Sequence, residues 1–151
     1  MKIISTNRKA HFNYHIKETL EAGIVLTGDE IKSIRSKHVS LDDAYAVVTK
    51  GEIVLLNCYI APYSHAYAKS DNSGRGSRKL LLHKNEINRI VGEISRKGAT
   101  IIPLKIYLNE RGYAKMTIGI AVHKQTQDKR EQIKERDLKR QTMREIKTRL
   151  S

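Results

Sequence analysis

Hydrophobic and polar residues alternate most clearly near the end of the first 121 residues of the chain. From Met116 to Val122, every second residue is a large apolar one, which is typical of a strand with one buried face. A second strand is predicted at residues 100–108, and a turn at 109–112 joins the two. Apolar runs predict further strands at residues 21–26, 45–49 and 52–60, the last two flanking the turn Lys50-Gly51.

Two helices are predicted from capping signals and apolar spacing. Thr27 and Glu30 have the spacing of a capping box, so a helix should run from about residue 28 to 36. Apolar residues recur at i, i+3, i+4 and i+7 from Ile87, which predicts a second helix at 85–97. Gly98 follows as its C-terminal stop. Short strands with small helices indicate a mainly β protein, for which we expect an OB-like antiparallel barrel.

A long polar loop at residues 62–78 interrupts these elements, and Ser, Asp, Asn, Gly and Arg predominate in it. Seven tyrosines stand against one Phe and no Trp, and a tyrosine ring can stack on an RNA base. Within the loop, Tyr63 and Tyr67 are candidates for such contacts. Tyr45, Tyr59 and Tyr107 are interpreted instead as strand residues that are half in the core.

The charge of the chain indicates a polyanionic partner. Its net charge is +13 over 151 residues, of which +5 belongs to residues 122–151. Ten Lys and Arg stand against five Asp and Glu there, with no Gly or Pro. Only Met143, Ile146 and Leu150 form an apolar stripe, so we expect a tail that is disordered in isolation and folds on its partner. Two alternatives for the tail are a solvated extension and an amphipathic helix on an anionic membrane. The tail lacks the Trp and Phe residues that favour membrane binding.

RNA explains the charge of both parts of the chain, because every neutralised phosphate releases counterions. We therefore expect an RNA-binding body at residues 1–121, whose residues 1–15 are a loosely held basic N-terminal arm, and a basic tail at 122–151. A body of this size should bury one core. We also expect the protein to be a monomer. No apolar run approaches the ~18 residues needed to span a bilayer, and no signal peptide begins the chain, so we expect a cytoplasmic protein.

Catalytic signals are absent from the sequence. Its six histidines are scattered without a metal-binding motif, and it has neither a P-loop nor an acidic cluster for magnesium. Cys58, the single cysteine, excludes an internal disulfide and is interpreted as a small buried hydrophobe. We expect no cofactor, no metal and no enzymatic activity. The alternative is a small RNA-processing enzyme, which would need a spatial pair of histidines or carboxylates.

The ordered motifs of the chain resemble the family of tmRNA-binding SmpB proteins, also called SsrA-binding proteins. The motifs are NRKA at residues 7–10, EAG at 21–23, GDEIKSIR at 28–35, RKLLLHK at 78–84, PLKIY at 103–107, RG at 111–112 and DKR at 128–130. The resemblance implies an adaptor that binds the tRNA-like domain of transfer-messenger RNA (tmRNA) and brings it to stalled bacterial ribosomes for trans-translation. It also implies that the tail enters the empty mRNA channel and becomes helical there.

The resemblance further implies two groups of functional residues. RNA contacts of the body would centre on Glu21, Leu81 and Lys115, and would include Asn7, Arg8, Lys9, Lys32, Arg35, Arg78, Lys79, His83 and Lys84. Residues of the tail that act at the decoding centre and in accommodation would be Lys124, Asp128, Lys129, Arg130, Lys134, Arg136, Met143 and Ile146. Simpler alternatives are core packing for Leu81 and a surface salt bridge for Glu21.

One departure from the family pattern lies at the joint between body and tail. The family usually shows Gly-Lys-Lys before the DKR motif, whereas this chain has His123-Lys124-Gln125. The joint therefore has one cation fewer and a first residue with less freedom in φ.

Overall fold

The computed structural model describes residues 1–62, 74–124 and 126–150, with the side chains of 126–128 and 148–150 left out. The mainly β prediction is confirmed. In chain order the elements are β1 (Lys2–Thr6), α1 (Ala10–Asn13), β2 (Tyr14–Ile24), α2 (Gly28–Arg35), β3 (Val39–Ser40), β4 (Tyr45–Thr49), β5 (Glu52–Leu56), β6 (Tyr59–Ile60), β7 (Arg78–Leu81), α3 (Lys84–Lys97), β8 (Thr100–Leu108), β9 (Ala114–His123) and α4 (Thr126–Leu150).

Seven of the strands form one antiparallel sheet in the order β1-β8-β4-β5-β7-β2-β9, and β9 also pairs with β8. The sheet therefore curls back on itself, but it is not the regular barrel that we expected. Both β1 and β4 pair with the same edge of β8, and the pairing of β4 with β8 consists of Ala46 and Ile101 alone. A register shift between Pro103 and Lys105 interrupts β8 nearby, where the proline lacks a backbone N–H for the ladder.

Aliphatic side chains from the inner face of the sheet form the main core. Ile53, Ile101 and Ile118 are fully buried there, and the two helices α2 and α3 add Ile34 and Ile90. The apolar spacing of α3 predicts its buried side in part: Ile87, Ile90 and Ile94 pack on the core, whereas Val91 is 38% exposed. Both predicted helix signals are confirmed as well, since α2 has its complete capping box and Gly98 ends α3 with φ of +63°.

Two predicted strands have other bounds. The strand expected at residues 21–26 is the last part of β2, which begins at Tyr14 and ends at Ile24. Residues 52–60 form two strands in different sheets, because Asn57 between them has φ of +59° and turns the chain. Asparagine is among the few residues with a side chain that tolerate this conformation. The turn before β5 is as predicted, with positive φ at both Lys50 and Gly51.

The N-terminal end of the chain differs from expectation, and the tail has a defined secondary structure. The N-terminal segment is held rather than loose, because β1 pairs with β8 and the Asn7 amide donates to the Leu104 carbonyl at 2.7 Å. The tail is described as one continuous helix, α4. Its sequence has no helix breaker to prevent this. Tyr63, Tyr67 and Gln125 lie outside the described residues.

Candidate nucleic-acid interface

Four neighbouring strands bring predicted RNA-binding residues into one line across the sheet. Leu81 on β7 pairs with Gly23 on β2, Gly23 pairs with Lys115 on β9, and Lys115 pairs with Tyr107 on β8. Directly paired residues of antiparallel strands point to the same face of a sheet. Their chain neighbours Leu80, Met116 and Ile106 are buried in the core. The line therefore lies on the outer face of the sheet.

Glu21 lies on this outer face too, because it precedes Gly23 by two residues on β2. An open groove of about 660 Å³ brings together Glu21, Leu81, His83 and Lys115. Four of the residues predicted from the sequence therefore converge, although they come from β2, β7, β9 and the segment before α3. We call the residues Glu21, Gly23, Leu81, Tyr107 and Lys115 the Leu81–Lys115 face.

Leu81 has the exposure of a contact residue rather than a core residue. Half of its side chain, 50%, is accessible to solvent, whereas the neighbouring Leu80 is 1% exposed. Gly23 permits this arrangement, because a Cβ at that position would lie only 3.2 Å from the Cβ of Leu81. Leu81 can therefore lie over the β2 backbone and offer an apolar surface beside the polar groups of the groove.

The Leu81–Lys115 face contains a buried tyrosine that the sequence reasoning missed. Tyr107 is only 5% exposed, yet it belongs to neither hydrophobic cluster of the core. Burial, and then a hydrogen bond with the Glu21 carboxylate, raise the pKa of the Tyr107 hydroxyl to about 12. The Lys105 ammonium lies 5.9 Å from the centre of its ring. Tyr107 therefore belongs to the outer face and not to the core.

Other predicted cations lie at the surface around the sheet. Lys79 extends from β7 to an exposed ion pair with Glu52 at 3.0 Å. His83 and Lys84 stand at the start of α3, where the His83 amide donates to the Glu86 carboxylate at 3.0 Å. The other cations predicted for the RNA-binding body are exposed as well: Arg8, Lys9, Lys32 and Arg35.

The joint between the sheet and the tail is anchored on α1. The His123 ring packs against Tyr14, with 4.4 Å between the ring centres. The Lys124 amide donates to the Asn13 carbonyl, and its ammonium donates to the His11 carbonyl, both at 2.8 Å. In place of the usual Gly-Lys-Lys, this chain therefore has a joint whose His123 and Lys124 are fixed by contacts to Tyr14 and α1.

The first turns of α4 also touch α1. Both Lys129 and Arg136 place their cationic groups over the Phe12 ring, at 5.6 and 5.9 Å from its centre. Further along, Met143 and Ile146 are 67% and 48% exposed, three residues apart on one side of the helix. Arg130 and Lys134 are exposed as well, whereas the side chain of Asp128 lies outside the described part.

Comparison with known proteins decides the family. Residues 4–148 match the family model described as SmpB protein. The chain belongs to the SmpB family. It is 49% identical to an SsrA-binding protein of Coprothermobacter proteolyticus over 99% of both chains. It is also 49% identical to one of Trichodesmium erythraeum, over 97% of this chain and 93% of the other. The resemblance predicted from the motifs is confirmed.

A solved SmpB-family structure has the same fold. This structure comes from the work "tmRNA-SmpB: a journey to the center of the bacterial ribosome". The two chains superpose with a TM-score of 0.65 at 49% identity, over 81% of this chain and 85% of the other.

Two residues implied by the SmpB resemblance are buried in the fold. Arg78 is 7% exposed, and its guanidinium donates to the Glu30 carboxylate and to three backbone carbonyls, at 2.7 Å for Cys58, 2.9 Å for Gly76 and 3.1 Å for Gly74. Asn7 is 6% exposed and donates to the Pro103 carbonyl at 2.9 Å. Both side chains are committed to the fold, so we withdraw them from the predicted interface.

The remaining candidate chemistry of this SmpB-family chain is limited. Cys58 is fully buried as predicted, and burial raises the pKa of its thiol to about 11. Among the described residues, no three His, Cys, Asp or Glu side chains are grouped so that they could hold a metal ion. In the same residues, no helix has the length and apolar character needed to cross a membrane.

Proposed function

We propose that this chain is an RNA-binding adaptor that binds the tRNA-like domain of tmRNA and delivers it to stalled ribosomes for trans-translation. The observation that carries the proposal is the convergence of Glu21, Leu81, His83 and Lys115 on one groove of a strongly basic protein. Membership of the SmpB family, relatives that are SsrA-binding proteins and a solved relative from work on tmRNA and the ribosome support it.

The Leu81–Lys115 face has the three kinds of group that RNA recognition uses. The Lys115 ammonium can neutralise a phosphate. Half of the Leu81 side chain is free to pack on a base or a sugar. The Glu21 carboxylate would repel phosphate, so it should accept a hydrogen bond from a base or a 2′-hydroxyl. Together these groups favour a folded RNA surface over a uniform anionic one.

The division of labour between body and tail is also part of the proposal. We assign RNA binding to the mainly β body, which extends through β9 to His123, and action in the decoding centre and mRNA channel to the basic tail that follows. The described side chains of α4 are largely exposed, and an isolated helix without tertiary packing is marginal in water. The tail should therefore gain stable helical order only where RNA walls neutralise its ten cations.

The peptidyl-transfer chemistry would belong to the ribosome, so this chain would act as a monomeric adaptor in the bacterial cytoplasm and not as an enzyme. It would need neither a cofactor nor a metal. An RNA-processing enzyme would shorten the RNA that it binds, whereas an adaptor leaves the RNA at full length. Gel analysis of the RNA after each binding reaction separates the two.

The experiment is a titration of tmRNA tRNA-like domain with the full chain at several salt concentrations. Lys115→Ala should weaken binding and lower the salt slope by about one unit, as loss of one phosphate contact would. Lys97→Ala is the matched control, because it removes the same charge from the far end of α3, where Lys97 pairs with Glu93 at 3.5 Å. Equal effects of the two variants would mean that the face makes no localised contact, and would contradict the proposal.

A further inference from the structure

Tyr107 is a buried tyrosine on the side of the sheet that faces away from the core. Its neighbour Ile106 is fully buried among the core side chains, so Tyr107 points the opposite way. It is nevertheless only 5% exposed. Its ring must therefore be covered by side chains of the outer face itself, and a buried phenol hydroxyl needs a hydrogen-bond partner there.

The partner comes from a strand that is not adjacent to β8. Glu21 lies on β2 and Tyr107 on β8, and β9 runs between them. The register places Lys115 opposite Tyr107 and Thr117 opposite Glu21. Strands two apart in a sheet are separated by roughly 10 Å, so both side chains must lie across β9 to meet. The Glu21 carboxylate, across β9 on the same face, is the group placed to accept from the Tyr107 hydroxyl.

This contact changes what Glu21 can do. Glu21 is exposed on β2, where an unsupported glutamate would sample several rotamers and would be driven away by an approaching phosphate. A phenol that donates to the carboxylate restricts its rotamer. It also leaves acceptor positions free, because a carboxylate offers about four lone pairs. A phenol is protonated at neutral pH, so Tyr107 can donate there.

We infer that Tyr107 is a positioning residue, which holds the Glu21 carboxylate in the orientation that accepts a hydrogen bond from bound RNA. The inference rests on the proposed function of the Leu81–Lys115 face. Tyr107 itself is too buried to touch the RNA, so it acts through Glu21 alone. Lys105, 5.9 Å from the ring centre, contributes a cation beside the same ring.

The test is a double-mutant cycle on binding of tmRNA tRNA-like domain by the full chain. Tyr107→Phe keeps the ring and removes only the hydroxyl, and it should weaken binding by about threefold to tenfold. Glu21→Ala should weaken binding at least as much. In the Glu21→Ala background, Tyr107→Phe should have no further effect. Tyr113→Phe is the control, because Tyr113 is 64% exposed in the turn before β9.

The outcomes separate the inference from the proposal beneath it. If Glu21→Ala binds RNA like the wild type, the proposed RNA-binding face is wrong. If Glu21→Ala weakens binding but Tyr107→Phe does not, the face stands and the positioning role of Tyr107 is overturned. Losses that simply add in the double variant also overturn it, since Tyr107 would then act independently of Glu21. An unchanged salt slope for Tyr107→Phe supports it, because no phosphate contact is removed.

Discussion

Replacing Arg78 decides whether this residue of the RKLLLHK motif serves RNA or the fold. In the structure its guanidinium joins β7 to the Glu30 carboxylate of α2 and to the carbonyls of Cys58, Gly74 and Gly76. Arg78→Ala would remove all four contacts at once. Glu30 would then lose its cation, and carbonyls near β6 and β7 would lose their donors.

The expected cost is large. Removing one partner of a buried ion pair costs about 3–5 kcal/mol, because the other charge stays behind unpaired. The Glu30 side chain is 22% exposed, so water can reach it and the lower end of that range applies. A loss of about 3 kcal/mol corresponds to a fall in Tm of roughly 10 °C for a protein of this size. Arg78→Lys keeps the charge but loses the fork of donors, so its fall should be intermediate.

The assay combines thermal unfolding with RNA titration well below the transition. The matched control is Lys79→Ala, the next residue, whose ion pair with Glu52 is about half exposed on both sides. An exposed pair of this kind contributes no more than about 1 kcal/mol. Arg78→Ala should therefore lower Tm far more than Lys79→Ala while the folded variant keeps its RNA affinity. A normal Tm together with a marked loss of RNA affinity would refute the structural role.

Three further predictions concern Tyr107 and the tail. Burial raises the pKa of Tyr107 to about 12 in the fold, so folding disfavours the phenolate and the free energy of unfolding should fall as pH rises from 10 towards 12. Urea titrations at pH 8 and 11 should show a smaller fall in this free energy for Tyr107→Phe than for the wild type. Deleting residues 125–151 should preserve RNA binding and abolish peptide tagging, and a thirtyfold loss of affinity would contradict this. Ile146→Pro should likewise abolish tagging but not RNA binding, and full activity would mean that the tail works as an extended strand.

The deletion begins at residue 125 rather than 122 for a structural reason. β9 continues to His123, where Val122 and His123 pair with His15 and Tyr14 of β2. Cutting at the boundary expected from the sequence would remove these pairs and the Lys124 contacts to α1. Any loss of RNA binding would then reflect damage to the sheet.

Local signals predicted the elements whose causes are local. The Thr27–Glu30 capping box and the spacing from Ile87 both concern residues within two turns of each other, and both helices are where they were expected. The alternation from Met116 likewise predicted β9, because one face of that strand is buried. Asn57 escaped prediction, since an asparagine inside an apolar run does not reveal its positive φ.

The functional surface depended on pairings that the sequence does not display. In the sequence, Arg78 is one more cation in a basic motif. Its contacts with Glu30 and three carbonyls are formed only in the fold. Tyr107 was interpreted as half in the core because its strand is apolar, whereas its position opposite Lys115 follows from the register of β8 and β9. Family resemblance supplied Glu21, Leu81 and Lys115 without supplying the tyrosine that contacts one of them.

The central claim is that this chain carries tmRNA to stalled ribosomes, and reconstituted trans-translation tests it most directly. The measurement is addition of the tmRNA-encoded tag to a peptide on ribosomes stalled at the end of an mRNA without a stop codon. We predict tagged peptide with the full chain, none without it, and none with the chain ending at Lys124, although that chain still binds tmRNA. Equal tagging with and without the protein, or tmRNA shortened during the reaction, would contradict the account.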